Sequence, residues 1–106
     1  MRSTFRILFY VNKQRAKEGR VPIYVRLTVN GKSTFVSSRQ TIPLSLWDSA
    51  ANKAAGKSAE ARNVNAELER IRAKLLHHYQ RISDRDAYVT AERVKSAYLG
   101  MGEEYE

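Results

Sequence analysis

Alternating apolar and polar residues mark the segment 21–29, which is the pattern of a strand with one buried face. Residues 4–12 are rich in aromatic and β-branched types and predict a strand before it, and residues 32–42 predict a third strand after it. Pro22 fits the start of a strand, where a missing N–H does least harm. The first part of the chain is therefore predicted to form three strands.

The dipeptide Asn30-Gly31 predicts a tight hairpin between the second and third strands, because both residues tolerate the positive φ of a type I′ turn. Such a turn places Val29 opposite Lys32 and Arg26 opposite Phe35, and cross-strand partners share a face. The predicted apolar face contains Ile23, Val25, Leu27, Val29 and Val36, joined by Phe5, Ile7, Phe9 and Val11. The predicted polar face contains Arg6, Tyr10, Tyr24, Arg26, Thr28, Ser33, Phe35, Ser37 and Arg39.

Two polar segments connect these elements. Residues 13–20 are charged and contain a glycine, and they are predicted to form a mobile loop. Residues 43–57 are predicted to form a largely mobile connector. Its apolar residues are expected to pack at one end of the core; they are Leu44, Leu46 and Trp47.

A long amphipathic helix is predicted over about residues 59–83, with Ser58 as its N-cap. Its apolar stripe consists of Val64, Leu68, Ile71, Leu75, Tyr79 and Ile82. A helix of this length exceeds what three strands can cover, so part of the stripe should face something else. A short helix is predicted from the cap Thr90 to Gly100, and the acidic tail 101–106 is expected to be disordered.

The charge of the chain is unevenly distributed. Residues 1–57 carry eleven Lys and Arg against two acids, whereas residues 58–106 carry eight against nine. A basic field confined to one part of a chain attracts polyanions. This distribution favours a nucleic-acid partner over a basic surface kept only for solubility.

Candidate catalytic chemistry is sparse. The segment Gly56-Lys57-Ser58 resembles the end of a phosphate-binding loop, but Ala51 stands where that motif needs glycine. His77 and His78 are adjacent, so on a helix they point about 100° apart and do not chelate one metal. The chain has no cysteine and shows no catalytic constellation. We therefore expect no enzymatic activity, no cofactor and no metal.

The predicted polar face is the feature that best suits binding. A two-stranded ribbon fits the major groove, its arginines can bond to guanine edges or phosphates, and its hydroxyls can donate to phosphates. An exposed Phe35 is unusual on an ordinary solvated face. Two alternatives remain: a module that stacks single-stranded RNA on Tyr24 and Phe35, and a module in which the stripe of the long helix pairs with another subunit.

The segments STFRILFYVNKQ, VPIYVRLTVNGK and FVSSRQTIPLSLWDSAANKAAGKS, followed by NAELERI, HHY and YVTAERVKSAYLG, together resemble the N-terminal arm-type DNA-binding domain of tyrosine recombinases. These are the integrases of phages and conjugative transposons, and the likeness covers roughly residues 3–100. It implies an α+β fold, a three-stranded antiparallel sheet packed on a long α-helix and followed by a short second helix. It also implies that the sheet binds the major groove at accessory arm sites.

The resemblance implies a non-catalytic fragment of a larger integrase, and Tyr105 is not the nucleophile of such an enzyme. We expect residues 1–57 to form the basic sheet and connector, 58–89 the long helix, and 90–106 the short helix and tail leading toward a core-binding domain. The expected partner is double-stranded DNA, with the helix as a candidate contact to other integrase subunits and with no membrane or small-molecule substrate. The apolar run near the N-terminus is too short for a signal peptide, and we expect a cytoplasmic, nucleoid-associated protein. The candidate DNA-binding residues are those of the predicted polar face together with Lys13, Arg15, Lys17, Arg20 and Lys32.

Overall fold

The structure is a computed structural model that describes residues 4–86 and 88–100. These residues form three long strands, two short strands and two helices; they are β1 (Phe5–Val11), β2 (Arg20–Val29), β3 (Lys32–Pro43), β4 (Trp47–Asp48), β5 (Lys53–Ala54), α1 (Ala59–Arg85) and α2 (Ala91–Leu99). Short 3-10 turns lie at Lys13–Arg15 and Leu44–Leu46. The predicted α+β class, with its sheet, long helix and short second helix, is confirmed. The tail 101–106 and Tyr105 lie outside the described residues.

The first three strands form an antiparallel sheet in the order β1-β2-β3. Asn30 and Gly31 take φ values of 53° and 85°, as the predicted hairpin requires. The predicted register is confirmed, since Val29 lies opposite Lys32 and Arg26 lies opposite Phe35. The turn chemistry therefore decides which side chains share a face.

A bulge interrupts this register near the middle of β3. Tyr24 lies opposite Ser37, but Ile23 lies opposite Gln40, so Ser38 and Arg39 have no partner on β2. The Ser38 hydroxyl donates to the Ile23 carbonyl oxygen at 2.6 Å and accepts from the Gln40 amide at 3.1 Å. Arg39 takes a φ of 62°, in the left-handed region. An insertion of two residues keeps the alternation of faces in phase, so the rest of β3 still packs on the core.

Helix α1 packs its apolar stripe against the apolar face of the sheet. Ser58 caps it as predicted, because its hydroxyl accepts from the Ala61 amide at 3.1 Å. The stripe is buried at all its predicted positions except Tyr79, which is half-buried and stacks on Phe5 with ring centroids 4.3 Å apart. Towards its C-terminal end α1 lies against α2, whose Val94 is fully buried. The part of the stripe beyond the sheet is thus covered within the chain.

Both segments predicted to be mobile form defined structure instead. Lys17 and Arg20 exchange backbone hydrogen bonds of 2.8 and 3.0 Å around a tight turn at Glu18-Gly19, so residues 13–20 are not an open loop. In the connector, strands β4 and β5 pair as a small hairpin, and the Asn65 side chain bonds both the amide and the carbonyl of Ala54. These side-chain and backbone bonds supply the order that composition alone did not indicate.

The expected packing of the connector's apolar residues holds in part. Leu46 and Trp47 pack against the edge of the core. Leu44 is 40% exposed, so its predicted burial is wrong. It lies in the 3-10 turn, where its amide donates to the Gly19 carbonyl oxygen at 3.1 Å. This turn directs its side chain largely to solvent.

Candidate nucleic-acid interface

Within the described part of the chain, one surface of the sheet carries no helix, and most of the predicted binding residues lie on it. Strand alternation places them there, because β1, β2 and β3 each turn every second side chain away from α1. We call this surface the polar face; it consists of Arg6, Leu8, Tyr10, Pro22, Tyr24, Arg26, Thr28, Ser33, Phe35, Ser37 and Thr41. Every residue of the predicted polar face except Arg39 lies on it.

An aromatic row crosses the polar face from β1 to β3. Tyr10 and Tyr24 have ring centroids 5.9 Å apart, and Tyr24 meets Phe35 edge to face at 6.0 Å. Both tyrosines are half-buried, whereas Phe35 is 55% exposed. Apolar surface in the middle of a polar face suits contact with base edges or sugars, because these also expose apolar atoms.

The first basic group lies on the hairpin side of the aromatic row. Arg6 and Arg26 line a shallow hollow together with Leu8 and Thr28. Both arginines are exposed, and neither forms an ion pair within the described residues. The Thr28 and Ser33 hydroxyls lie 2.7 Å apart beside them. Guanidinium groups without a carboxylate partner remain available for phosphates or guanine edges.

The second basic group lies on the opposite side of the row. Arg15 and Lys17 are exposed and border Tyr24. Arg20 is committed within the chain, since its guanidinium bonds the Thr41 hydroxyl at 3.2 Å and a Glu60 carboxylate oxygen at 2.6 Å. The group therefore offers fewer free cations than the sequence suggested. Two further exposed cations stand at the ends of strands, Lys13 after β1 and Lys32 at the start of β3.

The expected place of Arg39 on the polar face is wrong. The bulge carries it to a cleft against α1, which it lines together with Glu60, Glu67 and Arg70. There it also acts on Tyr98 of α2. Burial raises the pKa of the Tyr98 phenol, the nearby Arg39 guanidinium lowers it, and Glu67 raises it. Simple alternation failed here because nothing in the sequence marks the two unpaired residues.

Lys95 also reaches the polar face, and no sequence pattern indicated that it would. Its ammonium lies 5.6 Å from the centroid of the Phe35 ring. Phe35 belongs to β3 and Lys95 to α2, so only the packing of α2 beside β3 brings them together. No local pattern could have indicated this contact.

The phosphate-loop-like segment and the adjacent histidines have structural roles. Ser58 of the Gly56-Lys57-Ser58 segment is the cap of α1, and His78 lies edge-on to Tyr98 at 6.5 Å. Over residues 4–86 and 88–100, no three His, Cys, Asp or Glu residues gather as a metal site would require. Neither described helix is long and apolar enough to cross a membrane.

A small α+β domain with an uncovered basic and aromatic sheet face belongs to the class of nucleic-acid-binding modules. Within that class, the family model of the arm DNA-binding domain matches residues 9–95. The chain therefore belongs to the arm DNA-binding domain family, a non-catalytic DNA-binding family. Comparison with curated proteins and with solved structures gave no match.

Proposed function

We propose that this chain binds duplex DNA through its polar face, at accessory arm sites, as the non-catalytic N-terminal part of a site-specific integrase of the tyrosine recombinase class. Membership of the arm DNA-binding domain family supports DNA as the partner. The resemblance of the sequence to recombinase arm domains supports the finer assignment. The aromatic row and the two basic groups support the choice of surface.

The observation that carries the proposal is the pair of free guanidinium groups on the polar face. Arg6 and Arg26 are exposed, border the same hollow and lack carboxylate partners among the described residues. The outer strands of a three-stranded sheet lie about 10 Å apart, since neighbouring strands are about 4.8 Å apart. The major groove is about 12 Å wide, so a face of this width fits it edge to edge.

The test is a fluorescence-anisotropy titration of a labelled mixed-sequence duplex with the chain and with Arg6→Ala and Arg26→Ala variants. Each variant should weaken binding, and an arginine that reads a base should relax selectivity by about 1–3 kcal/mol at one position. Arg62→Ala is the matched control, because Arg62 is exposed on α1 and away from the polar face. Equal effects of Arg26→Ala and Arg62→Ala would contradict the proposal.

The exposed cations around the face are expected to act on affinity rather than on selectivity. These cations lie on turns and strand ends, where they can contact a phosphate backbone without recognising a particular base; they are Lys13, Arg15, Lys17 and Lys32. Each phosphate contact that is removed should reduce the slope of log affinity against log salt by about 0.9. Arg20 should contribute less, because its guanidinium is held by Glu60.

One observation favours a second candidate, the binding of single-stranded RNA. Three aromatic rings in a row across a sheet can stack unpaired bases. The edge-to-face contact between Tyr24 and Phe35 leaves only Phe35 well exposed, which is less than a series of parallel platforms would offer. Competition between unlabelled RNA and duplex DNA separates the two candidates. Pairing through the stripe of α1 finds no such support, because that stripe is covered within the chain.

A further inference from the structure

We infer that Lys95 is a DNA-phosphate contact that α2 contributes to the edge of the polar face. The inference rests on the proposed function, because it extends the same interface beyond the sheet. It adds a residue from a different element, far from the strands in the sequence. The DNA surface of this domain is then built by β1, β2, β3 and α2 together.

The position of Lys95 follows from the packing of its neighbour. Val94 is fully buried in the core between α2, the sheet and α1. Successive helical residues point about 100° apart, so the side chain of Lys95 points sideways from α2 and not into the core. This flank of α2 faces β3, the outer strand of the sheet. The long lysine stem is half-buried, and it carries the ammonium around the strand to the far side.

The ammonium arrives where the polar face ends. It lies 5.6 Å from the centroid of the Phe35 ring, and Phe35 lies directly opposite Arg26. Arg26, Phe35 and Lys95 therefore follow one another from the central strand to beyond the edge strand. A cation over an aromatic face is held in place without being neutralised.

The charge of Lys95 is not used elsewhere in the described residues. The ion pairs there involve Arg20, Arg70, Arg72 and Arg93. Arg93, two positions earlier on α2, is bound to Asp86 and to the Tyr88 carbonyl oxygen. The two cations of α2 thus differ: Arg93 binds the segment that precedes the helix, whereas the charge of Lys95 remains available to a binding partner.

The groove geometry indicates what that partner is. The outer strands of the sheet span about 10 Å and the major groove is about 12 Å wide, so each edge of an inserted sheet lies near one phosphate backbone. A cation just beyond β3 is then next to a phosphodiester and too far out to reach the base edges. Lys95 should therefore add affinity on every sequence and no selectivity.

The test compares Lys95→Met with Lys74→Met in anisotropy titrations of a labelled mixed-sequence duplex, at several salt concentrations between about 50 and about 200 mM. Methionine keeps an unbranched stem that packs on an aromatic ring, so the charge is removed with the least disturbance of Phe35. Lys74 is exposed on α1, on the side of the sheet away from the polar face. Thermal unfolding of both variants checks that the fold is kept.

For Lys95→Met, the slope of log affinity against log salt should become less steep by about 0.9, with affinity lower by roughly five- to tenfold near 0.1 M salt. Lys95→Arg should bind like the parent chain, and Lys74→Met should change neither quantity. An unchanged slope in Lys95→Met overturns the inference, even if affinity falls. If Arg26→Ala weakens binding while Lys95→Met does not, only this inference fails. If Arg26→Ala has no effect, the proposed DNA face itself fails.

Discussion

The ring of Tyr24 meets the ring of Phe35 edge to face across β2 and β3, with centroids 6.0 Å apart. The two residues are diagonal neighbours, because Tyr24 lies opposite Ser37 and Phe35 lies opposite Arg26. Tyr10 supports Tyr24 from the other side at 5.9 Å. Each ring of the aromatic row therefore contacts the next, and Phe35 is its exposed end. The contribution of Phe35 to stability can then be measured separately from its contribution to binding.

Phe35→Ala should weaken duplex binding by about tenfold, equivalent to about 1.4 kcal/mol, because an apolar contact to a base or sugar is lost. The free energy of unfolding should fall by only about 1 kcal/mol, since the side chain is half exposed and loses one aromatic pair and the exposed contact with Lys95. Anisotropy and urea unfolding measure the two quantities. Leu76→Ala is the control, as Leu76 is a comparably exposed apolar residue on α1. An equal loss of binding in both variants would argue against a role for the aromatic row.

Arg39 and Arg26 should respond differently to the same substitution. Asparagine tolerates the left-handed conformation of Arg39, and it also removes the cation. Arg26→Asn should weaken duplex binding clearly, whereas Arg39→Asn should retain most of it, because the bulge directs Arg39 to the cleft against α1. Anisotropy on one labelled duplex makes the comparison. A greater loss from Arg39→Asn would return Arg39 to the DNA interface.

The bulge also predicts a difference in stability. A residue with a Cβ costs about 1–2 kcal/mol at the positive φ of Arg39, and a β-branched valine costs more than the arginine that it replaces. Valine at Arg26 occupies an exposed position in regular β2 and suits a strand. Urea unfolding should therefore show Arg39→Val less stable than Arg26→Val. Equal midpoints for the two variants would mean that Arg39 leaves the left-handed region in solution.

The elements that could be predicted from the sequence are those with local chemical signals. Asn30-Gly31 determines the hairpin and with it the sharing of faces, and Ser58, Thr90 and Gly100 mark helix ends that the structure confirms. These signals act over a few residues, so they do not depend on the rest of the fold. Most of the polar face followed from the hairpin register of β2 and β3, together with the alternation of residues along β1.

The features that could not be predicted depend on contacts between distant segments. The bulge at Arg39 has no glycine to mark it, and it is held by the Ser38 hydroxyl on the Ile23 carbonyl oxygen. The composition of the connector predicted a mobile segment, but its Ala54 amide donates a hydrogen bond to the Asn65 side chain of α1, which orders it. Lys95 reaches Phe35 only because α2 packs beside β3. In each case the decisive partner lies on another element, where alternation and spacing give no information.

Asn65→Ala should destabilise the domain by about 1–3 kcal/mol, because both backbone groups of Ala54 lose their side-chain partner in a partly buried place. The small β4–β5 hairpin should then exchange its amide hydrogens faster. Urea unfolding and hydrogen exchange measure the two effects. Asn63→Ala is the matched control, since Asn63 is exposed two positions earlier on α1. Asn63→Ala should lose no stability, because alanine has a higher helix propensity than asparagine. Similar losses in both variants would show that the bonds to Ala54 are not the source of the loss.

The pKa of Tyr98 should report on the position of Arg39. Burial raises this pKa above the ordinary value near 10, so the folded chain holds the phenol proton more strongly than the unfolded chain does. The resulting stabilisation is complete below about pH 10 and is lost as the pH rises through the raised pKa. Tyr98→Phe should remove this component of the pH dependence of stability. The difference in tyrosinate absorbance between the parent chain and Tyr98→Phe gives the titration of Tyr98 itself.

Arg39→Ala should raise the pKa of Tyr98 further, because the cation that favours the phenolate is gone. A downward shift, or none, would place Arg39 away from Tyr98 and would remove the reason for excluding it from the polar face.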